Sequence, residues 1–216
     1  LKLKTRNNYP EVITLFERAL ALDPRSVEAQ SLLVIALTAR VLDGMKDTAA
    51  ADIHRAEELA RQALAESPRS QYALYAKGQV LRAQGRYTEA IPDYEAVLAV
   101  NRNWVNVLHA LGQCKFYAGL LDETIPLEEQ AIRLSPRDPN IANMYDFIGR
   151  VHLLQSHTDE AIVWLKKSCN ANPEYPQSHA DLACAYALNG ESGRAAAELA
   201  EAQRLSADGR YASIAR

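Results

Sequence analysis

The chain is short of nearly everything that marks an active site. Cysteine occurs three times in 216 residues, at Cys114, Cys169 and Cys184, with no Cys-x-x-Cys pair. An odd, scattered set of this kind excludes a disulfide framework and argues against a zinc site. The thiols are expected to act as small apolar core side chains in a reducing compartment. The nine glycines never gather into a phosphate-binding loop: Gly78 and Gly85 bracket a helix, and no Gly-Lys-Ser/Thr follows. The five histidines, His54, His109, His152, His157 and His179, include no His-x-x-x-His. His152 and His157 lie five apart and His179 and Asp181 two apart, so neither pair shares a helix face. There is no Gly-x-Ser-x-Gly elbow. His179 lies between Cys169 and Cys184 in sequence, but helix-core thiols lack the exposed, polarised setting a nucleophile needs. The expectation is no metal, no cofactor and no catalysis.

Charge of one sign is also missing. The 24 basic and 27 acidic residues leave a formal net charge of −3, which argues against a general nucleic-acid binder. The longest apolar run, Leu32–Leu42, is broken by Thr38 and Arg40. It falls far short of the ~20 residues that span a bilayer. Leu1-Lys2-Leu3-Lys4 is followed by no apolar region, so no signal peptide is read. The expected place is the cytoplasm. Without an initial Met, the sequence is expected to be a piece of a longer protein.

What is present is a period. Residues 71–102 read as helix, tight turn, helix. Leu74, Lys77-Gly78 and Leu81 fall at spacings of three and four; Gly85-Arg86 stops the helix; Tyr87, Ala90, Ile91, Tyr94, Val97 and Leu98 renew the stripe. Neither helix can bury its apolar face alone, so each pair needs a neighbour. The unit returns. Pro24, Pro68, Pro136 and Pro173 each close a second helix, with Arg102 and Ala207 in the same place, at intervals of 44, 34, 34, 37 and 34 residues. Five residues before each stop stand Ala19, Ala63, Val97, Ala131, Ser168 and Ala202; twelve before stand Val12, Ala56, Ala90, Thr124, Ala161 and Ala195. Most are small, as close helix approach requires. The assignment is a half repeat at 9–24, repeats at 25–68, 69–102, 103–136, 137–173 and 174–207, and a cap at 208–216 in which Tyr211 and Ile214 cover the last pair. One domain spans 1–216. The 44-residue interval holds an insertion at 41–52, read as a functional loop or as one further turn on each flanking helix. Pro92 and Pro126, early in second helices, are expected to delay the start of those helices.

A 34-residue helix-turn-helix period resembles the tetratricopeptide repeat over essentially the whole chain. The resemblance implies an all-α, right-handed superhelical solenoid whose first helices line a concave groove for a protein or peptide partner. Carried over by phase, the groove wall holds Tyr72, Tyr75, Gln79 and Arg82, then Asn106, His109, Gln113, Phe116 and Tyr117, then Asn143, Asp146 and Arg150. Packing between first helices is the alternative role for several of these. The phases at which chaperone-tail clamps carry Lys, Asn and Arg hold Ser31, Ile35, Ala76, Asn106 and Ala110, so that subtype is not expected. The phrases LFERALALDPRSVEAQ, YAKGQVLRAQGRYTEAIPDYE, NRNWVNVLHALG, EEQAIRLSPRDP and GRYASIAR are similar to modules that follow the catalytic domain of bacterial adenylate/guanylate cyclases. This implies a non-catalytic sensory or interaction arm of a bacterial signalling protein. The alternative is a homodimerisation module, because the first half repeat lacks its partner helix and exposes Val12, Leu15, Phe16 and Ala19.

Overall fold

A computed structural model describes residues 8–45, 47–206 and 211. Those residues form eleven α-helices and no strand. The helices are α1 (Tyr9–Leu22), α2 (Val27–Leu42), α3 (Ala49–Glu66), α4 (Gln71–Ala83), α5 (Tyr87–Val100), α6 (Val105–Tyr117), α7 (Leu121–Leu134), α8 (Ile141–Leu154), α9 (Thr158–Ala171), α10 (Pro176–Leu188) and α11 (Ser192–Leu205). Two compact units result, Leu1–Ala118 and Gly119–Arg216, divided in the turn between α6 and α7.

The helix ends follow from local chemistry. Each second-type helix stops the same way: the C-cap N–H donates to the carbonyl four residues back, at Ala19, Ala63, Val97, Ala131, Ser168 and Ala202. These are the small positions found by counting back from the stops, and all but Ala19 are fully buried. First-type helices end in a left-handed residue that lets the chain double back. Gly85 has φ +73°, and Arg86 N donates to Leu81 O at 2.9 Å across the closing turn. Ser156 takes the same conformation at φ +63°, with His157 N donating to His152 O at 2.8 Å. Ser26 and Ser70 cap α2 and α4, their hydroxyl oxygens accepting from Ala29 N and Ala73 N at 3.3 Å.

Two close approaches set the pairing within repeats. A methyl group on Gly78 would sit 2.6 Å from the Tyr94 ring, and one on Gly149 would sit 2.6 Å from Leu165 Cγ. Tyr94 and Leu165 are both fully buried, so each glycine makes room for a large core side chain of the partner helix.

Three expectations need correction. Pro92 and Pro126 do not delay their helices: α5 and α7 begin at Tyr87 and Leu121 and run straight through them. Both rings are exposed, so the helix tolerates the missing N–H at its outer face. Half of the insertion at 41–52 is helix, because α3 begins at Ala49 and not at Ile53, while α2 ends at Leu42. It is tied down by buried Asp52, which accepts from Arg40 Nε at 2.8 Å and from Thr48 Oγ1 at 2.8 Å, and by Tyr9 OH, which donates to Asp43 Oδ2 at 2.5 Å. Finally, the half repeat is not left bare. Tyr9, Val12 and Ile13 are buried, with Phe16 and Leu20 packed beside them, in one cluster with Leu33, Val34 and Leu37 of α2. A second-type helix packs on the first helix of the next repeat as well as on its own partner, and that contact takes up most of its stripe. Leu15 remains exposed, and Ala19 is half-buried.

The cap lies mostly outside the described residues, Ile214 included. Tyr211 is buried against Ala180 and Ala202. Its hydroxyl donates to Gln177 Oε1 at 2.9 Å, and its carbonyl accepts from Gln203 Nε2 at 3.1 Å.

Candidate functional site

The first unit brings its candidate residues together on α4 and α6. Positions 72, 75, 79 and 82 advance by three or four residues, as do 106, 109, 113 and 116, so each set forms one face. Arg82 joins the two faces by donating to Gln113 Oε1. The Gln113 amide nitrogen in turn donates to His109 Nε2 at 2.8 Å, which fixes that ring nitrogen as the acceptor.

Burial divides the set. Tyr75, Gln79, His109 and Phe116 are buried, at 5–8% exposure. They serve the packing between α4, α5 and α6, which is the alternative role the sequence left open for them. Tyr75 leans on Tyr94 at 5.9 Å and on Trp104 at 5.2 Å between ring centroids. Burial pushes its phenol above the ordinary tyrosine range, against the pull of Arg82. Tyr72, Asn106 and Tyr117 are exposed, and Arg82 and Gln113 lie half-buried between the two groups. Tyr117 stacks on Tyr87 at 4.5 Å with a 21° interplanar angle. Lys115 is buried and reaches Glu95 at 3.0 Å.

The structure adds residues that phase counting along one helix misses. The N-terminal ends of α4 and α6 border an open cleft of about 500 Å³, lined by Gln71, Tyr72, Asn101, Asn103, Trp104 and Val105. Tyr72 and Trp104 meet edge to face at 5.2 Å. Asn101 Oδ1 accepts from Asn103 N at 3.3 Å, closing a turn that leaves the Asn101 side-chain NH₂ to donate elsewhere. No side chain caps the start of α6 at Trp104. The cleft therefore combines aromatic walls with amide donors and acceptors. An Asn-x-Asn-Trp phrase at a repeat boundary was the available signal, but only its place beside the next repeat's tyrosine gives it meaning.

In the second unit, Asn143, Asp146 and Arg150 do share a face of α8, but Asp146 has no exposure at all. It is therefore a core residue and not a groove wall. Burial, with Asp181 nearby adding to it, raises its carboxyl to about 8, opposed by Arg150. Arg150 approaches Asp181 at 3.7 Å. Asn143 Nδ2 donates to the Tyr175 hydroxyl at 2.8 Å. These three residues tie α8 to the α9–α10 turn and to α10.

The thiols also divide. Cys114 is buried, Cys169 half-buried and Cys184 exposed, so only the first fits the core role expected of all three. Cys184 lies on a face of α10 that α9 and α11 leave open. No helix among the described residues is long and apolar enough to cross a membrane.

Comparison with known proteins supports the fold. Residues 48–103 match the family model described as "Tetratricopeptide repeat". No curated protein matches the sequence. Among solved structures, PilF of Pseudomonas aeruginosa is similar at 17% identity and a TM-score of 0.70, over 98% of this chain and 91% of its own. YrrB, described as a tetratricopeptide protein with an unusual peptide-binding site, is similar at 18% identity and a TM-score of 0.63, over 93% of this chain and 96% of its own. MamA aligns at 20% identity and a TM-score of 0.61, over 78% of this chain and 91% of its own. The chain thus has the all-α fold of tetratricopeptide repeat proteins, and its residues 48–103 carry that family's repeat pattern.

Proposed function

We propose that the chain is a non-catalytic scaffold that holds an extended peptide segment of a partner protein, with the cleft between the starts of α4 and α6 as its anchor point. The observation that carries this reading is the pairing of Tyr72 and Trp104 in a cleft that Gln71, Asn101 and Asn103 also line. Rigid rings offer contact area with little side-chain entropy to lose, and amides satisfy the carbonyl and N–H groups of an extended backbone. A peptide-binding site is described for YrrB, whose fold this chain shares. Exposed Asn106 and Tyr117, with Arg82 and Gln113 beside them, extend the same surface along α6.

The test uses peptides selected by display on the immobilised chain, with affinities read by Trp fluorescence. Tyr72→Ala and Asn101→Ala each weaken the selected peptides about ten-fold or more, as central contacts do. Helicity stays unchanged, and Asn143→Ala leaves the affinity alone. Equal affinity in all three variants overturns the assignment.

In the cell, this reading makes the chain a cytoplasmic regulatory arm of a bacterial signalling protein with a nucleotidyl cyclase domain. The support is the resemblance of the five phrases quoted above. The coding sequence upstream of Leu1 tests it directly, since any other domain there removes the cyclase assignment. Homodimerisation through α1 has less behind it, because Val12 and Phe16 already pack within the chain.

A further inference from the structure

Three donor groups that lie far apart in sequence meet in the last two repeats. Cys169 near the end of α9, His179 in the first turn of α10 and Glu198 in α11 have their ligand atoms within 4.8 Å of one another. The histidine is held in a particular way. Its Nε2 lies 3.0 Å from the carbonyl oxygen of Pro173, which can only accept, so Nε2 carries a proton and donates it. That leaves Nδ1 to face Glu198 Oε2 at 2.6 Å. A neutral imidazole with Nε2 protonated presents a lone pair at Nδ1, and a carboxylate presents another. Two lone pairs at that distance require a positive centre between or beside them. Either a second proton or a metal ion supplies it.

We propose that Cys169, His179 and Glu198 form a binding site for a divalent transition-metal ion of the zinc class. One thiolate sulfur, one imidazole nitrogen and one carboxylate oxygen make a donor set that suits zinc and its cobalt substitute, and is too soft for magnesium or calcium. Donors around one tetrahedral ion at the usual 2.0–2.3 Å lie about 3–4 Å apart, so small side-chain rotations close the site. A backbone carbonyl accepting from the non-ligating nitrogen is the usual device that orients a metal-bound histidine. Here Pro173 supplies it, at the stop between the last two repeats. A bound cation would sit against both the Glu198 carboxylate and the Cys169 sulfur, which already lie within 4.8 Å of each other and of the imidazole nitrogen. On binding, the Cys169 proton and any proton held between His179 and Glu198 pass to solvent. Three protein ligands on three helices leave a fourth position for water.

The test titrates cobalt(II), then zinc, into the full chain after treatment with a chelator. One equivalent of cobalt binds with a thiolate-to-metal charge-transfer band, and zinc displaces it. Cys169→Ser removes the band, while His179→Gln and Glu198→Gln each weaken binding about ten-fold or more. Cys184→Ser and Cys114→Ser leave it intact. Zinc raises the thermal midpoint of the wild type and not of Cys169→Ser, and circular dichroism shows each metal-free variant folded. A folded wild type that gives no thiolate band overturns the proposal and leaves His179 and Glu198 as an ion pair. A band that survives Cys169→Ser overturns it too.

Discussion

Asp146 is a single residue whose environment sets a property of the whole second unit. It is fully buried, and its carboxyl is raised from the ordinary 3.8 to about 8, first by burial and then by Asp181. Asp181 is raised as well, by burial. Between these two values the unfolded chain ionises Asp146 while the folded chain keeps it neutral. The unfolded state then binds fewer protons, so this group's contribution to stability is complete below about pH 4 and is lost as pH climbs towards 8. The slope for one such group is about 1.4 kcal/mol per pH unit. Asp146→Asn keeps the shape and removes the titration. Urea unfolding from pH 4 to 8 should show the variant gaining on the wild type with every unit of pH. A gap between the two that stays constant across the series would show Asp146 ionised in the fold. This role was not legible in the sequence. Position 146 falls on the groove phase, and only the packing of α10 over α8 turns a wall position into a core one. Tyr75, Gln79 and His109 take the packing role that the sequence left open for them, because a helix that packs on neighbours from two sides buries more of its surface than one stripe.

The helices themselves were the most legible feature. The helix Tyr9–Leu22 falls within the half repeat assigned to 9–24, and the glycine turns and the small residues before each stop mark where most of the others end. Those signals are local, and sequence reports local chemistry well. The prolines show the limit. Pro92 and Pro126 were expected at helix starts, yet they sit at the sixth position of α5 and α7. Each removes an N–H that would donate to the carbonyl four residues earlier, at Thr88 or Asp122, and crowds that carbonyl with its ring. Both prolines are exposed, so an alanine there loses little packing. A central proline costs about 3 kcal/mol against alanine, offset by less than about 1 kcal/mol of restricted freedom in the unfolded chain. Pro92→Ala and Pro126→Ala should each stabilise the chain by about 1–3 kcal/mol. The check is a rise in the urea midpoint without a change in slope. An unchanged or lowered midpoint would mean that the ring makes contacts the helix depends on.

At the scale of the molecule, what the sequence hides is whatever lies between helices far apart in the chain. Cys169, His179 and Glu198 carry no metal-ligand spacing, because they come from three helices and meet only when the last two repeats stack. The cleft beside Trp104 hides for the same reason. The oligomeric state turns on a similar point. Read alone, α1 offers an apolar stripe with no partner, and a second copy of the chain is a natural cover. In the fold, Tyr9, Val12 and Ile13 are buried against α2, and Phe16 and Leu20 join them. Of its large apolar side chains, α1 exposes Leu15 at 48% and Leu22 at 90%. A stable interface buries about 800 Å² on each partner, and two leucines supply only a fraction of that. Light scattering coupled to gel filtration should therefore give the mass of one chain at every concentration. A dimer that dissociates when Leu15 and Leu22 are both changed to Asp would restore α1 as the contact. A dimer that survives the double change would place the contact elsewhere on the chain.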